Sequence, residues 1–216
     1  MDKLSNEQID AAGLADWRKL AQALHARYRA ADPGAAMRFT AALASLAEPG
    51  ANAVDARLTR DVVDLAVYTR EQGLWVTAPD VDNARRISEL AAEHGLIAEP
   101  AAVTQIELAL DAADQDTVAP FWSALLTGSV DNVIHDSMFD PTGRVPPLWF
   151  QRSEKSETPR QRWHFDLWLA PEVADERIAA AVAAGGVVVY DDEAPSFTVL
   201  ADPDGNRVCI CTSLGR

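Results

Sequence analysis

Arg162, His164, Asp166 and Trp168 alternate along one short stretch of the second half of the chain. In extended backbone these four share a face, while Trp163, Phe165, Leu167 and Leu169 share the other. An imidazole titrates near neutrality, so His164 can give or take a proton at physiological pH. Asp166 can orient it, and Arg162 can hold or orient an acceptor. Two readings are open: a strip that contacts a ligand, or an Arg–Asp–His ladder satisfied by its own members. Gln105 and Glu107 repeat the i, i+2 spacing about sixty residues earlier. Glu107 is either a proton acceptor facing His164 in a partly dry cleft or a solvated strand residue. His135 reads as an ordinary loop or strand residue. Cys209 and Cys211 are the only cysteines. At i and i+2 on a strand they lie ~6.5–7 Å apart, poor geometry for a disulfide. A reduced, cytoplasmic chain is the simplest expectation.

These residues need strands to hold them. Ile106–Leu110 reads as one strand, followed by a helix carrying Val118, Phe121, Trp122 and Leu125 and ending at Gly128. Phe165–Leu169 reads as another, followed by a helix carrying Val173, Ile178, Ala181 and Val182 and ending at Gly185-Gly186. Strand-like segments follow each helix: Asn132–Met138 and Leu148–Arg152 in the first copy, then Val187–Tyr190, Phe197–Ala201 and Arg207–Cys211 in the second. The pattern is strand–helix–strand–strand–strand, twice. One such module leaves a sheet face uncovered and two together cover it, so a ligand belongs in the cleft. The apolar face of the 163–169 strand is then the helix-covered core. Trp122, Trp149, Trp163 and Trp168 are core residues or, in one or two cases, stacking walls for a flat neutral ligand. Residues 153–160 read as a loop between the modules or a lid.

The first hundred residues read as helix, helix, strands, helix. Trp17, Leu20, Leu24 and Tyr28 recur every three or four residues, which predicts a helix stopped by Asp32-Pro33-Gly34. Ala36, Phe39, Leu43 and Leu46 predict a second. Val62–Tyr68 is β-prone, and Leu74–Val76 is a short strand. A third helix opens at Thr77-Ala78-Pro79-Asp80, buries Val81, Ala84, Ile87 and Ala91, and ends at His94-Gly95. Glu99–Ala102 reads as a linker between a domain of residues 1–98 and another of 102–216. The fold class expected is α+β.

Composition narrows the function. The 216 residues carry 19 basic and 33 acidic side chains, a formal charge of −14. A nucleic-acid binder needs a basic stripe, and none is present. No apolar run reaches the ~18 residues that span a bilayer, and the start lacks the apolar segment of a secretory signal. Serine-elbow, phosphate-loop and dinucleotide glycine signatures are absent, so hydrolase and nucleotide chemistry lack support. A small-molecule ligand remains, with neither nucleic acid nor membrane as partner.

Two resemblances extend this reading. Arg162-Trp163-His164-Phe165-Asp166-Leu167, the helix ending in Gly185-Gly186, and Asp202-Pro203-Asp204-Gly205-Asn206 before the last strand resemble the vicinal oxygen chelate superfamily, the glyoxalase and bleomycin-resistance fold. In metal-dependent members the ligands come from the first and a late strand of each module. The resemblance places those positions at Gln105, His164, Cys209 and Gln151. Two amides, one imidazole and a thiol are a poor set for a hard octahedral ion, so no metal and no other cofactor is expected. The first half is similar to pterin-4a-carbinolamine dehydratase, through Leu4-Ser5-x-Glu7-Gln8, Trp17, Tyr28-Arg29, Phe39, Ala47-Glu48, Val63–Thr69 and Val76-Thr77-x-x-Asp80-Val81. That family's His-His-Pro-Asp segment falls at Asn52-Ala53-Val54-Asp55 and its Thr-His at Thr69-Arg70. All three catalytic imidazoles are missing, and an always-charged Arg does not shuttle protons at pH 7.

The function expected is metal-independent lyase or isomerase chemistry in the glyoxalase-like cleft. His164, Asp166 and Glu107 would be catalytic, with Arg162, Gln105, Trp168, Gln151 and Cys209 binding the ligand. The alternatives are a sequestering protein, residual pterin dehydration, and a regulatory partner. The dehydratase resemblance also implies a homodimer.

Overall fold

The computed structural model describes residues 2–46, 54–70, 74–154, 163–183, 185–201 and 207–215. Arg162, Asn52, Ala53, the 155–160 part of the expected loop and the Asp202–Asn206 turn lie outside the described residues. Contacts divide the chain into two compact units, Met1–Thr104 with Leu169–Val173, and Gln105–Trp168 with Ala174–Gly215.

The first unit begins with α1 (Asn6–Ala11). The Gln8 backbone N–H donates to Ser5 Oγ at 3.2 Å and the Ser5 N–H to Gln8 Oε1 at 2.8 Å, a reciprocal cap. The helix expected over Trp17–Tyr28 is instead an antiparallel hairpin, β1 (Trp17–Leu20) and β2 (Ala23–Arg29), turning through Ala21 at φ +44°. Within β2, Leu24, Ala26 and Tyr28 are buried on one face. Small Ala26 hides that period of two, and the turn between the strands supplies the helix-like spacing.

Asp32 begins a helix rather than stopping one. It accepts from the Ala35 N–H at 2.8 Å, and Pro33 opens α2 (Pro33–Ala42), which a 3-10 turn at Leu43–Leu46 continues. Next come β3 (Val54–Thr59), β4 (Val62–Val67), β5 (Thr69–Arg70), β6 (Leu74–Trp75), α3 (Ala78–Glu93) and β7 (Ile97–Ala98). The sheet runs β1-β2-β4-β3, with β7 also on β2. α3 buries Val81, Ala84, Ile87 and Ala91 against a core that includes Tyr28, Phe39, Val63, Leu65 and Val67.

The second half of the chain holds β8 (Thr104–Ala112), α4 (Gln115–Thr127), β9 (Val133–Ile134), β10 (Ser137–Met138) and β11 (Leu148–Arg152). The pattern repeats as β12 (Trp163–Leu169), α5 (Pro171–Ala183), β13 (Val187–Tyr190), β14 (Phe197–Ala201) and β15 (Arg207–Cys211). All eight strands of the two modules form one sheet, ordered β13-β14-β15-β12-β8-β11-β10-β9. β11 pairs β8 in parallel and β15 pairs β12 in parallel, so each module's last strand lies beside its first. The two first strands meet in the middle. Among the described residues, no helix is long and apolar enough to cross a membrane.

The apolar face of β12 is only partly core. Leu169 is buried, but Trp163 and Phe165 are 37% and 55% exposed. α5 buries Ala174 near its start while Val182 stays exposed, so the beginning of β12 lacks the expected cover. Trp163 packs edge-on against Trp122 of α4, with centroids 5.1 Å apart.

Two predictions follow from the first unit. Asp80 is fully buried, and its Oδ2 accepts from the Thr77 N–H, Thr77 Oγ1 and Thr69 Oγ1, each at 2.8 Å. Asp80→Ala strands those donors and should cost about 2–3 kcal/mol in chemical unfolding. Separately, burial, then the Lys19 ammonium, holds His25 down at about 4, against an opposing pull from Asp64. The unfolded chain therefore takes up a proton that the native one refuses, and this contribution is lost as pH falls from ~6.5 toward ~4. His25→Gln should flatten the pH dependence of unfolding in that window.

Candidate functional site

Strand alternation and register assemble the site from the middle of the second sheet. His164, Asp166 and Trp168 share one face of β12. Asp166 lies opposite Cys209 and Trp168 opposite Cys211 in parallel register, which places both sulfurs on that face. On β8, Gln105, Glu107 and Ala109 occupy one face, and Trp149 of β11 is registered with Ala109.

Side-chain contacts join the two modules. Trp149 Nε1 donates to Asp166 Oδ2 at 2.8 Å, and the Trp149 ring meets the His164 ring edge-on, with centroids 5.9 Å apart and planes at 87°. His164 Nε2 is 3.4 Å from Asp166 Oδ1, close enough for attraction but long for a hydrogen bond. The side chains of His164 and Asp166 are 19% and 10% exposed. In the reciprocal arrangement, Trp168 Nε1 donates to buried Glu107 Oε2 at 2.8 Å. Each carboxylate thus holds an indole from the other module.

The expected residues separate into those the fold gathers and those it does not. His164, Asp166 and Cys209 come together, with one ligating atom of each within 4.8 Å of the others. Glu107 and Trp168 meet each other, both nearly out of solvent. Gln105 is half-buried on the face of Glu107. Gln151 is exposed and registered with Asp111, beyond Trp149 along β11. The residue of β11 that Trp149 follows, Leu148, is registered with Leu108, so the β11 counterpart of Cys209 lies at Pro147, which offers no donor side chain. Trp149 is the site residue that sequence reasoning left among the general aromatics. Its signal is the alternation of buried Leu148 and Phe150 around it, which turns Trp149 to the opposite face.

The nitrogen, oxygen and sulfur of His164, Asp166 and Cys209 are donor types that a zinc ion accepts, and three protein ligands with an open position are a set zinc can use. Ligands at ~2.0–2.3 Å from a tetrahedral ion stand ~3.3–3.8 Å apart, and His164 Nε2 and Asp166 Oδ1, at 3.4 Å, fall in that range. Asp166 Oδ2 already accepts from Trp149, while Oδ1 faces His164. The first module's carboxylate, Glu107, holds Trp168. No step is assigned to a metal.

Comparison with known proteins separates the halves of the chain. Residues 107–211 match the family model described as glyoxalase-like domain, and residues 2–90 match that of pterin 4 alpha carbinolamine dehydratase. The N-terminal domain therefore matches the dehydratase family and the C-terminal domain the glyoxalase-like one. Among solved structures, a transcriptional coactivator/pterin dehydratase from Brucella melitensis is similar over 42% of this chain and 99% of its own, at 23% identity and a TM-score of 0.39. No curated protein matches the chain.

The Glu107–Trp168 pair makes a direct prediction. Trp168→Phe leaves a buried carboxylate without this donor and should lower stability by about 1–3 kcal/mol. Adding Glu107→Leu in the same chain should recover most of that loss, measured by urea unfolding of the single and double variants.

Proposed function

We propose that the C-terminal domain binds a neutral small molecule over the face bearing Gln105, Trp149 and His164. We further propose that it acts on that molecule by metal-independent acid–base chemistry of lyase or isomerase type. The observation that carries this reading is the chain Trp149–Asp166–His164. Asp166, fixed by the Trp149 indole, faces Nε2 of His164 and favours a proton there, leaving Nδ1 to accept one from a substrate. Apo geometry of catalytic pairs is commonly long and tightens on binding, so 3.4 Å suits the role. Net charge of −14 favours a neutral ligand over an anionic one. Arg162, two residues before His164, belongs to the proposed binding set.

A second reading has its own support. Glu107 accepts the Trp168 indole N–H on Oε2, which ties its carboxylate to a structural partner. A site with one titrating group suits binding or sequestration. For the N-terminal domain, Arg70 in place of the family's third catalytic imidazole argues against pterin dehydration and for a structural or regulatory role. Cytoplasmic location and homodimerisation complete the proposal.

The test is a screen of neutral hydroxy-carbonyl and enone compounds, reading Trp fluorescence for binding and product mass for turnover. With a turned-over compound, His164→Ala should lower kcat by about 100-fold or more while changing Kd by less than about threefold. Lost affinity with no turnover on any compound would favour sequestration and refute the catalytic reading.

A further inference from the structure

We propose that Cys209 is a nucleophilic thiol and that the electrophile it takes is a neutral α,β-unsaturated carbonyl compound. The assignment deepens the acid–base reading, because His164 supplies the base. Three observations converge on it. The Cys209 sulfur lies within 4.8 Å of a His164 ring nitrogen and an Asp166 oxygen. Parallel register seats Cys209 directly beside Asp166, which keeps the three on one face of adjacent strands. Cys209 is half-buried, whereas Cys211, two residues on, is 3% exposed.

A thiol near its ordinary pKa is mostly protonated at pH 7, and a neighbouring imidazole activates it by taking the proton. Asp166 stabilises the imidazolium that results. The Trp149 N–H on its other oxygen draws off part of the carboxylate charge, which limits its repulsion of the sulfur. Sulfur is a soft nucleophile and prefers the polarised carbon of a conjugated alkene, and the Trp149 ring beside His164 offers a flat apolar wall for such a molecule.

The step balances without an external oxidant or reductant. The thiol proton passes to His164, sulfur bonds to the β-carbon, and the alkene π pair shifts toward the carbonyl. The α-carbon then takes the proton from the imidazolium, leaving a thioether. Reversal releases the alkene. Rotation about the former double bond before release interconverts its two geometries, which makes the same steps an isomerisation.

The experiment treats the full chain with 2-cyclohexen-1-one and, separately, iodoacetamide, following adducts by intact mass and peptide mapping. Expected is one adduct, on Cys209, unchanged in rate in Cys211→Ser and absent in Cys209→Ser. His164→Gln should slow it at least about tenfold with an unaltered unfolding midpoint. Modification of Cys211 at a comparable rate, or an undiminished Cys209 rate in His164→Gln, would overturn the assignment, as would a stoichiometric metal ion whose removal by chelator is needed before Cys209 reacts. If the Cys209 rate is undiminished in His164→Gln while turnover is lost in His164→Ala, the thiol role falls and the acid–base reading stands. If neither rate nor turnover responds, both fall.

Discussion

The second domain turns on a pair of indole–carboxylate hydrogen bonds that cross between its modules. Trp149 to Asp166 and Trp168 to Glu107 each tie a polar strand residue of one repeat to an aromatic of the other, at 2.8 Å. A buried carboxylate without a donor is costly. These two bonds therefore give each carboxylate a donor and pin the modules to each other at the level of His164.

The repeat has diverged around that framework. Gln105-x-Glu107 and His164-x-Asp166 occupy matching places in the first strand of each module. In the first copy the imidazole position holds an amide, and the position beside the carboxylate falls at a proline. In the second copy imidazole, carboxylate and thiol are together. The imidazole, carboxylate and thiol group lies in one module, while the other contributes the aromatic that holds its carboxylate.

Much of the fold was legible because β alternation is a local signal. Val187–Tyr190, Phe197–Ala201, Arg207–Cys211 and Leu148–Arg152 form strands over the expected residues. α3 shows the same, since its cap residues and apolar period are written side by side. The Trp17–Tyr28 hairpin was misread because a tight turn shifts the phase of a period-two pattern and small Ala26 conceals it. The gathering of His164 and Asp166 on one face followed from their spacing. The partners of Asp166 and Glu107 did not, because register between strands tens of residues apart is set by the sheet and not by neighbours in sequence. Gln151 shows the same limit: a few residues of register separate it from the level of His164, and nothing local records that shift.

The central claim is that Asp166 holds the His164 ring with its proton on Nε2 and its other nitrogen free to act. Long-range nitrogen–proton NMR correlation of the labelled full chain at neutral pH measures this directly. The account requires the Nε2–H tautomer for His164, with Nδ1 unprotonated and unligated, and a weakened preference in Asp166→Ala. An Nδ1–H tautomer, or a ring nitrogen shifted by metal coordination in the untreated protein, would contradict it.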